Sequence, residues 1–191
     1  MEYVLLLLAA ILTDNFVFTK FMGIEQSFVS SEKASTALKG GGVVTAVSLV
    51  GGGLAYLLYR FVLSPLEISF LTLPVGVLLT TAVVAGLEAA AAKNSALEEM
   101  LRAQFPMLTT NAVILGAVFL AIQQDLGIGA AFLLFLGAGI GYTLAALAFS
   151  SIRERLCHCT PPAAFAGIPI MITAAALAVM AFSGFAGLHF L

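Results

Sequence analysis

Charge is what this sequence has least of. Only 9% of its 191 residues are Asp, Glu, Lys or Arg, against about 25% in an ordinary soluble domain. Eight basic and ten acidic residues leave a net charge of −2, and no basic cluster interleaved with aromatics exists to hold nucleic acid. Tryptophan is absent, and the two cysteines, Cys157 and Cys159, stand too close together to staple a fold. No Ser–His–Asp, nucleotide-loop or zinc-protease spacing occurs, and His158 and His189 fall at loops or ends. These absences exclude a soluble domain and a disulfide scaffold, and they point away from an autonomous enzyme.

What is present is apolar: 61% of the residues are hydrophobic. A membrane-spanning helix needs roughly 20 such residues, and on that ruler the chain holds six segments. They run from about Tyr3 to Ile24, Gly40 to Phe61, Ile68 to Ala91, Phe105 to Ile122, Ile128 to Ser150 and Ala164 to His189. Polar stretches at Glu25 to Lys39, Lys93 to Gln104 and Ser151 to Pro162 read as loops. The run from Tyr3 to Leu12 has the length of a signal-peptide core but lacks its basic flank, and it resumes beyond Asn15, so it reads as half of a spanning segment.

Two of these segments are interrupted in the same way. Leu12-Thr13-Asp14-Asn15-Phe16-Val17 and Leu108-Thr109-Thr110-Asn111-Ala112-Val113 both read L-T-x-N-x-V, and one lies in each half of the chain. With three segments per half, the second half enters from the opposite side, so the expected fold is an all-α membrane domain over residues 1–191. It is a 3+3 inverted repeat, halves about 1–95 and 96–191, with broken first and fourth helices. Gly40 to Gly42, Gly51 to Gly53, and Gly137, Gly139 and Gly141 fall in the middle segment of each half, where small residues allow close helix packing. Lys33, Lys39, Lys93, Arg102, Arg153 and Arg155 lie after odd-numbered segments, and only Arg60 lies on the other side. That bias predicts cytoplasmic basic loops, both termini outside and residence in the inner (plasma) membrane. Lys20 is expected to snorkel to the cytoplasmic face.

In their order along the chain, several motifs resemble the RnfA/NqrE-type membrane subunits of the Rnf and Nqr electron-transport complexes. They are Asp14-Asn15-Phe16-Val17 with Lys20-Phe21-Met22-Gly23, then Glu88, Leu108-Thr109-Thr110-Asn111, Ile152-Arg153-Glu154-Arg155-Leu156, Ala163-Ala164-Phe165-Ala166-Gly167 and Phe182-Ser183-Gly184-Phe185-Ala186-Gly187. The resemblance implies a six-helix subunit paired with a homologous subunit of opposite topology. It further implies an iron–sulfur cluster shared inside the membrane, in a complex that couples electron transfer to Na⁺ or H⁺ translocation. The family's cluster cysteines fall at Glu25 and Ala112 here, and neither side chain replaces a thiolate.

A carboxylate inside a spanning segment is by default functional. Asp14, with Asn15, Thr110 and Asn111 as neutral oxygen donors and Glu88 as a second acid, is one candidate ion path. The alternative is that these groups only cap broken helices. Arg153, Glu154 and Arg155 read as a cytoplasmic anchor or partner contact. Cys157-His158-Cys159 offers too few ligands for a structural metal site. The sequence thus predicts a non-autonomous membrane subunit of an ion-translocating electron-transport complex, without cluster ligands of its own. The alternatives are a small secondary transporter or solute-binding module, and a structural scaffold.

Overall fold

A single 29-residue helix organises the molecule. The computed structural model describes residues 2–30, 34–92, 108–109, 111–160 and 162–187. Among them lie helices α1 (Glu2–Ile11), α2 (Ile24–Ser30), α3 (Ala34–Leu63), α4 (Thr72–Ala91), α5 (Ala112–Gln123), α6 (Ile128–Leu156) and α7 (Ile168–Ser183), and no strand. α3 is continuous but wound as π-helix over Ser48–Gly52 and Tyr59–Leu63. α3, Ser69–Ala91 and α6 are long and apolar enough to cross a membrane, and α5 and α7 are shorter apolar helices.

α6 is the hub because its inward stripe is small. Gly137, Ala138, Gly139, Gly141, Ala145 and Ala146 are all buried, and α1, α2, α3 and α5 pack against it. A Cβ on Gly137 would sit 2.7 Å from the Ala10 Cβ of α1. Against α3 the contacts are reciprocal. A Cβ at Gly41 would meet the Thr143 Cβ at 2.6 Å, and one at Gly139 would meet the Thr45 Cα at 2.6 Å. Both threonines turn their hydroxyls back onto their own helix, Thr45 to the Gly41 carbonyl at 2.7 Å and Thr143 to the Gly139 carbonyl at 2.8 Å. Residue 41 touches 143 while 45 touches 139, so the two helices run antiparallel. A G-x-x-x-T element thus serves each helix in the same role.

Several boundaries differ from the sequence reading. Most of the polar stretch after the first segment is helical, since α2 spans Ile24–Ser30 and α3 begins at Ala34, which puts Lys39 on a helix. The fifth segment does not stop at Ser150. α6 continues to Leu156 and carries Arg153 and Arg155 in its last turn. Helix propensity favours Arg, Glu and Leu once a helix is running, so polarity there marks exposure and not a turn. α7 starts after Gly167 at φ 84, with Pro169 in its first turn, where a missing N–H costs nothing.

The ends of the bundle are chemically distinct. Arg60 of α3 meets Asp125, just after α5, at 2.6 Å, and the Tyr56 hydroxyl donates to the Leu126 carbonyl beside them. Lys39, Arg153 and Arg155 lie at the opposite end of the antiparallel α3–α6 pair.

Candidate functional site

Helix α1 stops because three consecutive polar residues offer its backbone other partners. The Thr13 hydroxyl and the Asp14 N–H both donate to the Ala9 carbonyl, at 3.2 and 2.7 Å. Asn15 is fully buried. Its Nδ2 donates to the Ile11 carbonyl at 2.8 Å and, across to α6, to the Gly141 carbonyl at 3.1 Å. Its Oδ1 accepts the N–H groups of Val17 at 2.9 Å and Phe18 at 3.2 Å. Both donors and both acceptor positions of the amide are therefore used. Phe18 is held between α6 and α7, its ring 5.5 Å from Phe149 and stacked 4.0 Å from Phe182. Positive φ angles at Phe21 and Gly23 then turn the chain into α2.

The second interruption repeats the device. Asn111 is the N-cap of α5, and its Oδ1 accepts from the Val113 N–H at 2.9 Å, two residues on, as Asn15 does from Val17. The Thr80 hydroxyl of α4 lies 3.4 Å from the Thr109 carbonyl at this break. The two interruptions meet. A Cβ at Gly23 would stand 2.7 Å from the Val113 side chain and 3.7 Å from the Asn111 Oδ1, so glycine is required there for space as well as for its φ of 71°. Met22 and Phe16 fill the room left by Gly116 of α5.

Beside this junction lies a charged pair. The Lys20 Nζ is 3.8 Å from the Asp14 Oδ1 and 5.5 Å from the centre of the Phe16 ring. The Lys20 side chain points toward Asp14 and the Phe16 ring. Its ammonium bends back to the break, because an anion and an aromatic face both await it there. The Asp14 side chain is 58% exposed and that of Lys20 27%. A groove of about 500 Å³ opens next to them, lined by Lys20, Met22, Leu73, Ala112, Phe119 and Gln123 among others. From Asn111, the 12 residues of α5 rise about 18 Å to the Arg60–Asp125 end, roughly half the hydrocarbon thickness of a bilayer.

The structure thus brings Phe16, Met22 and Gly23, which follow Asn15, against Asn111, Val113 and Gly116, while Asp14 reaches this junction through Lys20, which lines the groove together with Ala112. Thr110 lies outside the described residues, as do Lys33, Lys93, Arg102 and His189. Glu88 is exposed on α4, eight residues beyond Thr80 and so about 12 Å along the axis from the break. Arg153, Glu154 and Arg155 lie at the far end of α6, about 18 Å along it from Gly141. Their carbonyls take the nearby thiols: Cys157 donates to Glu154 at 2.9 Å and Cys159 to Arg155 at 3.6 Å. Two participants escaped the sequence reading, Lys20 as the partner of Asp14 and the Gly41/Thr45–Gly139/Thr143 crossing. The second was legible as a G-x-x-x-T repeated in both middle segments.

The residues at the junction do not fit the cluster that the resemblance implies. Glu25 is exposed on the first turn of α2, Ala112 is the first residue of α5, and neither carries sulfur. The cysteines are exposed at the distal end of α6. Carboxylate and amide oxygens suit hard cations, not iron–sulfur centres.

Comparison with known proteins agrees with the motifs. The family model described as "Rnf-Nqr subunit, membrane protein" matches residues 3–189. The chain is 37% identical to the A subunit of the ion-translocating oxidoreductase complex of Syntrophotalea carbinolica, over 96% of each chain. It is 35% identical to the protein of the same name from Rhodobacter capsulatus, over 98% of this chain and 97% of that one. It is also 35% identical to its namesake from Vibrio vulnificus, over 98% of both. Apolar helices, paired Asn breaks and whole-chain similarity converge on one conclusion: this chain belongs to the Rnf-Nqr family of membrane subunits.

Proposed function

We propose that this chain is a membrane subunit of an ion-translocating oxidoreductase complex, acting only within that complex and contributing to ion passage at its broken helices. The observation that carries the reading is the meeting of two Asn-capped breaks in a chain similar over its whole length to subunits named for ion translocation. The fold we propose is the six-span 3+3 inverted repeat. Its support is the antiparallel Gly/Thr crossing, in which each middle helix plays the same part toward the other. A two-fold axis in the membrane plane produces such a pattern.

The orientation we propose has both termini outside the inner membrane, in line with Lys39, Arg153 and Arg155 at one end and Arg60, paired with Asp125, at the other. The partner we propose is a homologous subunit of opposite topology. The ion path we propose runs past Asp14, with Asn111 and Thr110 as oxygen donors and Glu88 nearer the basic end. The four hydrogen bonds of Asn15 suit it to holding the backbone open around that path. Carboxylates bind protons or hard cations, which fits this role better than electron relay.

The test is ion uptake by the reconstituted complex carrying Asp14→Asn. Uptake per electron transferred should fall while membrane insertion and assembly persist; unchanged coupling overturns the assignment of Asp14. Failure of the chain to purify with any redox subunit overturns the function itself.

A further inference from the structure

The middle helices play the same part toward each other, yet only α3 departs from α-winding; α6 is α-helical throughout. A π-turn closes i→i+5 bonds where an α-turn closes i→i+4, so it holds one residue more than its flanks need. The first π-turn, Ser48–Gly52, runs into the sequence Gly51-Gly52-Gly53, and glycine supports α-winding less than any residue but proline. The exposed stripe of α3 shows the extra residue. Gly42, Ala46, Val50 and Leu54 are exposed in steps of four. Twelve residues of unbroken α-helix would turn about 120° past three full turns, and eleven only about 20°. The stripe stays straight because the π-turn absorbs one residue.

Four helices meet at this π-turn. Ser48 is buried, and its hydroxyl donates to the Phe135 carbonyl of α6 at 3.2 Å. A Cβ at Gly51 would stand 3.3 Å from the Thr80 methyl of α4, and one at Gly52 would stand 3.5 Å from Val118 of α5. Both flanks are pinned. Gly41 and Thr45 pack on Thr143 and Gly139 on one side, and on the other Gly53 packs on Phe132 and Arg60 meets Asp125. The extra residue therefore cannot leave the helix, but its position can move. Shifting the π-turn by one residue trades one i→i+5 bond for one i→i+4 bond, and the glycines it passes carry no side chains to obstruct it.

Gly51 bears on a hydroxyl that is itself divided. The buried Thr80 Oγ1 lies 3.0 Å from the Gly76 carbonyl, 3.0 Å from that of Val77 and 3.4 Å from that of Thr109, at the break before α5. One proton serves three acceptors, so a small displacement decides whether it stays on α4 or closes on the break.

We propose that the π-turn at Ser48–Gly52 is a sliding element: its one-residue migration through the glycines moves Gly51 against Thr80 and switches the Thr80 hydroxyl on and off the Thr109 carbonyl. The proposal rests on the ion passage proposed above for what the motion serves, and it names the part of the fold that moves.

The test is deletion of Val50, which is 53% exposed and whose loss leaves both flanks in α-helical register. The variant chain should melt in detergent within about 4 °C of the parent. Deletion of Ile140 from α6, which has no π-turn to absorb it, should melt far lower. Amide hydrogen exchange over Ser48–Gly53 should be faster in the parent than in either flank, and the deletion should slow it about fivefold or more, the worth of one backbone hydrogen bond. Gly52→Ala, whose methyl meets only ordinary contacts, should slow it in part. In the reconstituted complex, the Val50 deletion should assemble but take up less ion per electron transferred. A Val50 deletion that melts as low as the Ile140 deletion overturns the proposal, as does parental exchange no faster than the flanks. Slowed exchange with unchanged ion uptake overturns the switching role. Absence of any redox subunit from the parent complex removes the functional reading instead, and the melting and exchange of the isolated chain still decide the sliding of the π-turn.

Discussion

The Asn15 amide bridges 126 positions of sequence to the Gly141 carbonyl of α6, at 3.1 Å, while still closing the end of α1 through Ile11. One buried side chain thus joins a broken helix to the central one. Its approach is possible because residue 141 lacks a side chain: a Cβ there would lie 3.0 Å from the Asn15 nitrogen.

Asn15→Asp is expected to be more damaging than its isosteric shape suggests. The carboxylate keeps the acceptor role toward Val17 and Phe18 but faces the Ile11 and Gly141 carbonyls without donors. Two unsatisfied buried acceptors correspond to about 2–6 kcal/mol. Asn111→Ala removes only an N-cap bond, about 1 kcal/mol. Thermal unfolding in detergent should rank the two in that order; equal melting temperatures would remove the bridging role of Asn15.

Neighbouring glycines on α3 should respond oppositely to alanine. Gly41→Ala and Gly139→Ala force a methyl into Thr143 and Thr45 respectively, an overpacking cost of about 1–3 kcal/mol. Gly42 has open space at its Cβ position, and alanine there should be neutral or stabilising by up to about 1 kcal/mol through helix propensity. Unfolding midpoints of the three variants decide it, and a Gly42→Ala as damaging as Gly41→Ala would mean the crossing is misplaced.

Gly23→Ala combines backbone strain with collision. At φ 71° an L side chain costs about 1–2 kcal/mol, and its Cβ would press on Val113. The expected outcome is loss of both stability and ion coupling, because the two breaks are pushed apart. Val113→Ala in the same chain should recover part of the coupling, measured as ion uptake by the reconstituted complex.

The native thiols report orientation. Cys157 and Cys159 are exposed at the Arg153 end, so a membrane-impermeant maleimide should label them in inside-out vesicles and not in intact spheroplasts. The reverse pattern would invert the proposed topology.

Composition and periodicity alone determined that the chain is an apolar helical membrane protein, because 9% charge cannot cover a soluble surface. The repeated L-T-x-N-x-V marked where α1 ends and where α5 begins, since an Asn inside an apolar run must satisfy its amide locally. Segment ends were less legible. Glu25 and the Arg153–Arg155 stretch look like loops by polarity, yet exposed helix tolerates polar residues as readily as a turn does. What no local pattern encodes is partnership at a distance. That the Asn15 donors are consumed by Ile11 and Gly141, that Lys20 bends back to Asp14, and that Gly41 faces Thr143 while Gly139 faces Thr45 were decided only by the packing of α1, α3 and α5 around α6. A side chain's role follows from the groups within hydrogen-bond or contact distance, and those are set by the tertiary fold.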